Sequence, residues 1–123
     1  MSNNRGFRNL QVWGKSRDLA VLVYKLTQDG SFAKDYGLRD QMRRSAVSVP
    51  SNIAEGDERN TDKDAIRFFY MAKGSLAELQ TQLEITHLIG YMDKATFSNA
   101  VEKCAEIGRM LGALIKARST HSP

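Results

Sequence analysis

The sequence predicts an all-α protein, an antiparallel up-and-down four-helix bundle whose second helix is bent at Pro50. Apolar residues recur with helical spacing along four segments, and no stretch alternates convincingly with a period of two. Short breaks join these segments, as is typical of an up-and-down bundle. With 123 residues, 41% of them hydrophobic and 26% charged, the chain has the size and composition of one globular domain. We expect a single domain over residues 1–123, with its core at roughly residues 7–117.

The first two predicted helices cover residues 7–28 and 34–56. The first ends at the turn residues around Gly30, and its apolar stripe contains Leu10, Trp13, Ala20 and Tyr24. Pro50 lies inside the second helix, where it has no amide hydrogen to donate to the carbonyl of Ala46 and where its ring crowds that carbonyl. We therefore predict a bend at this position.

The third predicted helix spans residues 61–90, with Thr61 as its N-cap and Gly90 after its last turn. The fourth begins after Asp93 and has an apolar seam with spacings of four and three residues, formed by Phe97, Val101, Cys104, Gly108, Leu111 and Ile115. Only a few residues connect these two helices, which must therefore be neighbours. Residues 118–123 are expected to form a flexible tail.

Composition argues against a membrane or secreted protein. No apolar run has the length needed to cross a bilayer, and the N-terminus has no apolar segment of the signal-peptide type. The single cysteine, Cys104, cannot form an intramolecular disulfide, which fits a reducing compartment. We expect a cytoplasmic protein that does not contact a membrane.

The sequence offers little support for an enzyme. Glu84 and His87 have the ExxH spacing of a di-iron bundle, but that chemistry needs the motif twice, and the only other histidine is His121 in the tail. Cys104 lies on an apolar seam, where a buried thiol is the ordinary interpretation. The serines of the second helix have no histidine within reach, and no glycine-rich phosphate loop is present. We expect no catalytic residue, no metal site and no cofactor.

The third helix is apolar on more sides than a lone bundle of this size can bury. Residues 65–79, AIRFFYMAKGSLAEL, are apolar almost all round. Surplus apolar surface of this kind usually marks an interface, and small residues there would let another helix approach closely. We predict a homo-oligomer whose contacts come mainly from the second and third helices and include Val47, Pro50, Ala54, Tyr70, Gly74 and Ala77.

Polar residues form a stripe beside the apolar one on each of the same two helices. On the second helix the stripe contains Ser45, Ser48, Asn52 and Glu55, and on the third it contains Ser75, Glu78 and Gln82. Two such stripes on otherwise apolar helices indicate a buried hydrogen-bonded seam that fixes pairing and oligomer geometry. A ligand site is the alternative.

Positive charge is concentrated in the first part of the chain. Residues 1–50 have nine Lys/Arg and four Asp/Glu, a balance of +5, whereas residues 51–123 have nine and ten, a balance of −1. The basic half could attract nucleic acid, and the alternative is an ordinary solvated surface.

Some of these cations have an expected partner if the second and third helices form a hairpin. In that arrangement Arg44 should pair with Glu78, and Glu55 with a cation of the third helix. The cations left without an expected partner are candidates for contacts with nucleic acid, and they are Arg8, Lys15, Arg39 and Arg43.

Three stretches also carry a family likeness: FRNLQVW, YGLRDQMRRSAVSVPSNIAEGDER and KGSLAELQTQLEITHLIGY. They resemble the bacterial 23S rRNA intervening-sequence protein family, also called four-helix bundle proteins, with SNIAEG and GSLxELxTQL as the most specific parts. The resemblance covers roughly residues 7–117. One departure is Phe32-Ala33, where many relatives have Phe-Pro.

The resemblance implies a four-helix bundle, a ring-shaped homopentamer and no established enzymatic activity. It also implies a relation to accessory proteins of diversity-generating retroelements, which bind nucleic acid and a reverse transcriptase. We therefore expect a non-enzymatic homo-oligomer, a pentamer, that binds RNA or DNA through a basic surface of its first two helices. The alternative is a protein-interaction scaffold that does not bind nucleic acid.

Overall fold

The computed structural model describes residues 6–120, and over this range the chain is helical and contains no strand. A 3-10 turn at Phe7–Asn9 is followed by α1 (Gln11–Leu26), α2 (Gly30–Lys34), α3 (Tyr36–Asp57), α4 (Asp62–Leu88) and α5 (Lys94–Ser119). The four long helices pack in the cyclic order α1, α3, α4, α5, so each helix contacts the ones before and after it. The predicted all-α four-helix bundle is confirmed.

Helix boundaries differ from the prediction at three places. The first predicted helix is interrupted at Leu10, whose extended backbone (φ −80°, ψ 122°) separates the 3-10 turn from α1. The segment expected to be a simple break forms the short helix α2, which begins at Gly30 with a φ of 65°. A new N-cap then starts α3, because an Asp35 carboxylate oxygen accepts the amide of Leu38 at 3.2 Å. Pro50 does not end α3, which continues to Asp57.

The C-terminal boundary also differs. Arg118 and Ser119 belong to α5, where Ser119 Oγ donates to the carbonyl of Ile115 at 2.8 Å. The predicted tail, residues 118–123, therefore overlaps α5 at its first two positions, and Arg118 has acidic partners on other elements. Residues 121–123 lie outside the described part of the chain.

The core runs along the centre of the bundle and is built from one face of each long helix. Its largest fully buried side chains include Leu19, Met42, Ile53, Phe69, Leu79, Leu83, Ile107 and Leu111. In α5 the buried face is Ala100, Cys104, Ile107, Leu111 and Ile115, which is rotated slightly from the predicted seam so that Gly108 and Val101 are only half-buried. Burial raises the pKa of the Cys104 thiol to about 11, so this thiol is protonated at neutral pH.

Helices α3 and α4 approach each other closely at Gly56. A Cβ atom placed on Gly56 would lie 2.8 Å from Cε1 of Phe69 and 3.0 Å from the carbonyl oxygen of Ala65. Both distances are shorter than normal packing allows, so only glycine fits at this crossing. This contact explains the last residue of the SNIAEG stretch.

Side-chain contacts hold the bundle together at both ends. In what we call the Tyr91 clasp, the Tyr91 hydroxyl donates to the Asp35 carboxylate at 3.0 Å, and its ring packs 5.5 Å from that of Phe32. This hydrogen bond is the main reason that the pKa of Tyr91 is raised. In the Arg118 clasp at the opposite end, the guanidinium lies 3.6 Å from Asp57 and 3.3 Å from Asp62.

Candidate functional site

The predicted polar seam is shorter in the structure than in the sequence analysis. Its centre links α3 to α4, because Ser75 Oγ donates to Ser48 Oγ at 2.9 Å. The Nδ2 group of Asn52 also donates to Ser48 Oγ, at 3.0 Å, and to the Ser48 carbonyl, at 2.9 Å. These three side chains form one connected group that sets the register of the two helices.

The other predicted seam residues do not join this group. Ser45 Oγ and Gln82 Oε1 are buried but make no hydrogen bond to any described residue. Glu55 and Glu78 are exposed on the surface. The seam is therefore a short polar link within an apolar interface and not a continuous stripe.

Both predicted cross-helix ion pairs are wrong. Arg44 donates from Nη2 to Oε1 of Gln41 at 2.7 Å instead of pairing with Glu78. Glu55 pairs with Arg59 at 2.8 Å instead of with a cation of α4. In both cases the observed partner is three or four residues away in sequence, so the two side chains meet without spanning the gap to another helix.

Two of the four cations proposed to contact nucleic acid have acidic partners. Lys15 lies 3.4 Å from a carboxylate oxygen of Glu106, which belongs to α5. Arg39 pairs with Asp40 at 3.0 Å and donates to the Ala33 carbonyl at 3.2 Å. Neither pair was predicted, since Glu106 is remote from Lys15 in sequence and Asp40 directly follows Arg39.

The other two predicted cations are placed far from each other. Arg43 donates from Nε to Thr27 Oγ1 at 2.9 Å, and its guanidinium lies 4.5 Å from the centre of the Tyr24 ring. Arg8 lies against the ring of Phe7, before the start of α1. Arg43 is thus level with the end of α1, and Arg8 is near its beginning, so the four predicted residues do not form one surface.

A different group of cations surrounds two adjoining depressions between α1 and α3. The first, which we call the α1/α3 groove, has a volume of about 540 Å³ and an apolar lining that includes Trp13, Val21, Tyr24, Val47, Pro50 and Ala54. Arg17 and Lys25 also line it. The second, which we call the Arg43 pocket, has a volume of about 530 Å³ and includes Arg43, Arg44 and Asp40. Tyr24 and Val47 line both depressions.

The outward face of α4 is a second apolar surface. Tyr70, Ile85 and Leu88 are 57%, 45% and 73% exposed, and they lie on the side of α4 that is opposite its buried face. Exposed small residues, Gly74, Ala77 and Thr81, lie between them. We call these six residues the α4 stripe. The residues predicted as one interface therefore occupy two faces, since Val47, Pro50 and Ala54 line the α1/α3 groove instead.

Of the two ExxH residues, His87 is used for packing. The ring of His87 stacks on that of Phe97 at 4.5 Å, and its Nδ1 lies 3.2 Å from the Met92 carbonyl. Glu84 is exposed one turn earlier. Within residues 6–120, no three His, Cys, Asp or Glu side chains are grouped so that they could hold a metal ion. None of the helices in that range could cross a membrane, given its length and its polar content.

Comparison with known proteins identifies the fold and a family. The family model described as 23S rRNA-intervening sequence protein matches residues 8–113. A solved structure, that of a protein of unknown function from the S23 ribosomal protein family of Bacteroides thetaiotaomicron VPI-5482, superposes with a TM-score of 0.79 at 25% sequence identity. The match covers 85% of this chain and 98% of that one. No curated protein sequence matches the chain.

Proposed function

Because the chain belongs to the 23S rRNA-intervening sequence protein family, we propose that it works as the resemblance implies, as a non-enzymatic subunit of a ring-shaped homo-oligomer, a pentamer, that binds RNA or DNA. Neither the family description nor the solved relative names a reaction or an assembly. The proposal therefore rests on the surfaces of this chain. The observation that carries the assembly is the α4 stripe.

The α4 stripe has no apolar partner within the described chain. Its largest residues, Tyr70, Ile85 and Leu88, point away from the core, so no side-chain rearrangement inside the bundle could bury them. Burying apolar surface is worth about 25 cal/mol per Å². From Tyr70 to Leu88 the stripe extends about 27 Å along the helix, which is long enough to form much of an interface of about 800 Å² per partner.

The Arg43 pocket supports the binding of nucleic acid. The Nε group of Arg43 donates to Thr27, and the Tyr24 ring lies against one face of the guanidinium. The terminal nitrogens of Arg43 have no protein partner in the described chain. Arg44 is exposed in the same pocket and has no acidic partner among residues 6–120. Such cations contact phosphates without reading the base sequence. A scaffold that binds only protein is the alternative.

We expect Ala77→Arg to dissociate the oligomer without unfolding the chain. Ala77 is exposed in the middle of the α4 stripe, so a long cation there would block the close approach of another helix and leave the core unchanged. Light scattering should give a mass of several times 13.8 kDa for the wild-type chain and about 13.8 kDa for the variant. The helical circular dichroism spectrum should be the same for both.

Ala113→Arg is the matched control, because Ala113 is an exposed alanine on α5 outside the α4 stripe. This variant should assemble like the wild-type chain. A wild-type chain that remains monomeric at high concentration would contradict the proposed oligomer. Assembly of Ala77→Arg at wild-type affinity would show that the α4 stripe is not the interface.

For nucleic acid, we expect the double variant Arg43→Gln/Arg44→Glu to bind a structured RNA and a single-stranded DNA about tenfold or more weakly than wild type in 50 mM salt, because it loses phosphate contacts. Fluorescence anisotropy over a salt series should also show a shallower dependence of affinity on salt. Lys103→Glu, an exposed charge reversal on α5, is the control and should have a much smaller effect. Equal binding by the double variant and wild type, or no binding at low salt, would refute the proposal and favour a protein-only scaffold.

A further inference from the structure

We propose that the α4 stripe of one copy docks into the α1/α3 groove of the next copy, head to tail, with the bundles of all copies pointing in the same direction. This inference rests on the proposed homo-oligomer and goes beyond it, because it names the two faces that meet and their orientation. The occupant of the groove is thus a second copy of this chain. Shape, charge and symmetry each support this arrangement.

The two apolar surfaces are complementary in shape and lie on different sides of the bundle. The groove is a concave channel between two helices, with Trp13, Val21 and Val47 along its lining. The α4 stripe is one convex helix, and the small residues at its centre would let its backbone approach the groove closely. Pairing two stripes with each other would leave the groove open, whereas pairing a stripe with a groove covers both surfaces. Contacts between two different faces are heterologous, and such contacts form a ring when the rotation between successive copies closes.

The unpaired charges at the two ends of the groove have opposite signs, whereas Arg17, which also lines it, pairs with Asp18 at 3.1 Å. Lys25 lines the groove at the end where Arg43 contacts Thr27, and Glu58 is exposed one turn beyond Ala54 at the other end. From the level of Arg43 to Glu58 is about 22 Å along α3, at 1.5 Å per residue. Neither Lys25 nor Glu58 has a side-chain partner among the described residues. The groove is thus flanked by a free cation at one end and a free anion at the other.

The α4 stripe has the opposite polarity. Its C-terminal half is flanked by Glu84, its centre by Glu78 and its N-terminal half by Lys73 and Arg67, all four of them exposed. Arg67 also pairs with Asp64 at 3.1 Å. Glu84 lies about 16 Å from Lys73 and about 25 Å from Arg67 along the helix. If Glu84 of one copy faces Lys25 of the next copy, Glu58 of the next copy lies between Lys73 and Arg67 of the first. In this arrangement α4 of the first copy runs antiparallel to α3 of the next copy. The reverse direction would place Glu84 near Glu58, and like charges across an interface are unfavourable.

This direction is also the one required by a ring whose symmetry axis is parallel to the bundles. Within one chain α4 is already antiparallel to α3, since a short connection joins these packed helices. Rotation about an axis parallel to the bundle leaves the direction of every helix unchanged, so the neighbour's α4 must be antiparallel to α3 as well. The charge pattern and the symmetry of a closed ring therefore select the same orientation.

Cysteine crosslinking tests both the faces and the direction. With Lys25 opposite Glu84, Ser51 should face Ala77 of the neighbour, and Val47 should face Thr81. We expect the variants Ser51→Cys/Ala77→Cys and Val47→Cys/Thr81→Cys to form ladders of covalently linked chains with a short bismaleimide. The yield should be on the order of tenfold above that of the control Ser51→Cys/Ala113→Cys, because the native contact raises the effective thiol concentration. Cys104 can stay in place, because its buried thiol is protonated.

The outcomes separate this inference from the proposed function. If Val47→Cys/Lys73→Cys crosslinks better than Val47→Cys/Thr81→Cys, then α4 of one copy runs parallel to α3 of the next, and the proposed direction is overturned. Dimers formed by Ala77→Cys alone would indicate that two α4 stripes pair with each other and would overturn the groove assignment. An oligomer by light scattering in which none of these pairs crosslinks above the control also refutes the inference but keeps the proposed assembly. A monomer by light scattering refutes both.

Discussion

Gly56→Ala is expected to lower the free energy of unfolding by about 1 kcal/mol, although alanine is the better helix former. The new Cβ would lie 2.8 Å from Cε1 of Phe69 and 3.0 Å from the Ala65 carbonyl oxygen and from Cβ of Phe68. Two of these three atoms belong to the backbone or are attached directly to it, so they can move only if α3 and α4 separate. Overpacking of this kind costs about 1–3 kcal/mol and outweighs the gain of about 1 kcal/mol in helix propensity.

Urea denaturation followed by circular dichroism would measure this change. Gly112→Ala is the matched control, because Gly112 lies inside α5 and an added Cβ there meets no atom within 4 Å. That variant should be stabilised by up to about 1 kcal/mol, which is the propensity difference alone. The two variants therefore have opposite predicted signs. If both raise the stability of the chain, the close contact at Gly56 does not constrain the packing of α3 against α4.

Phe69→Ala is expected to have the larger effect, a loss of about 3–5 kcal/mol in the free energy of unfolding. Phe69 is fully buried in α4, faces Gly56 and lies 5.6 Å from the guanidinium of Arg118. Truncation would leave a cavity where α3, α4 and α5 meet. Phe97→Ala is the comparison, because Phe97 is only partly buried and should cost less. Equal losses for the two variants would contradict a dominant role for Phe69 in this core.

The same two positions should be coupled. In the double variant Gly56→Ala/Phe69→Ala, the new Cβ no longer meets the Phe69 ring, so the combined loss should be smaller than the sum of the single losses. The contacts with Ala65 and Phe68 remain, so the rescue should be incomplete. This non-additivity would locate the strain at the crossing of α3 and α4.

The number and type of the long helices could be predicted from the sequence, because helix periodicity is a local property. Thr61 caps α4 as predicted, with its Oγ1 accepting the amide of Asp64. Asp93, after which the fourth helix was predicted to begin, accepts the amide of Thr96. The short helix α2 was missed because Gly30 reads as a breaker, whereas in the structure it starts a turn of helix. Arg118 was assigned to the tail because its partners Asp57 and Asp62 are remote in sequence.

The candidate surfaces were harder to predict, because a charge in a sequence does not reveal its partner. Lys15 and Arg39 were selected as free cations, yet the fold or the next residue supplies a carboxylate to each. Lys25 was not selected, although it lines the α1/α3 groove. That groove exists only because α1 packs beside α3, and no local pattern encodes this neighbour relation. The exposed side of α4 was easier to find, since its apolar residues exceed what one buried face requires.

The two clasps determine where the native fold can open. Asp35 and Asp57, at the two ends of α3, are held by Tyr91 and Arg118, which are separated from them by more than fifty residues. Fraying of α3 from either end would break a contact with a distant part of the chain. Local opening events should therefore start elsewhere, as at the 3-10 turn of Phe7–Asn9, which buries no residue. In amide hydrogen exchange, α3 then belongs to the unit whose protons exchange only through unfolding of the whole bundle.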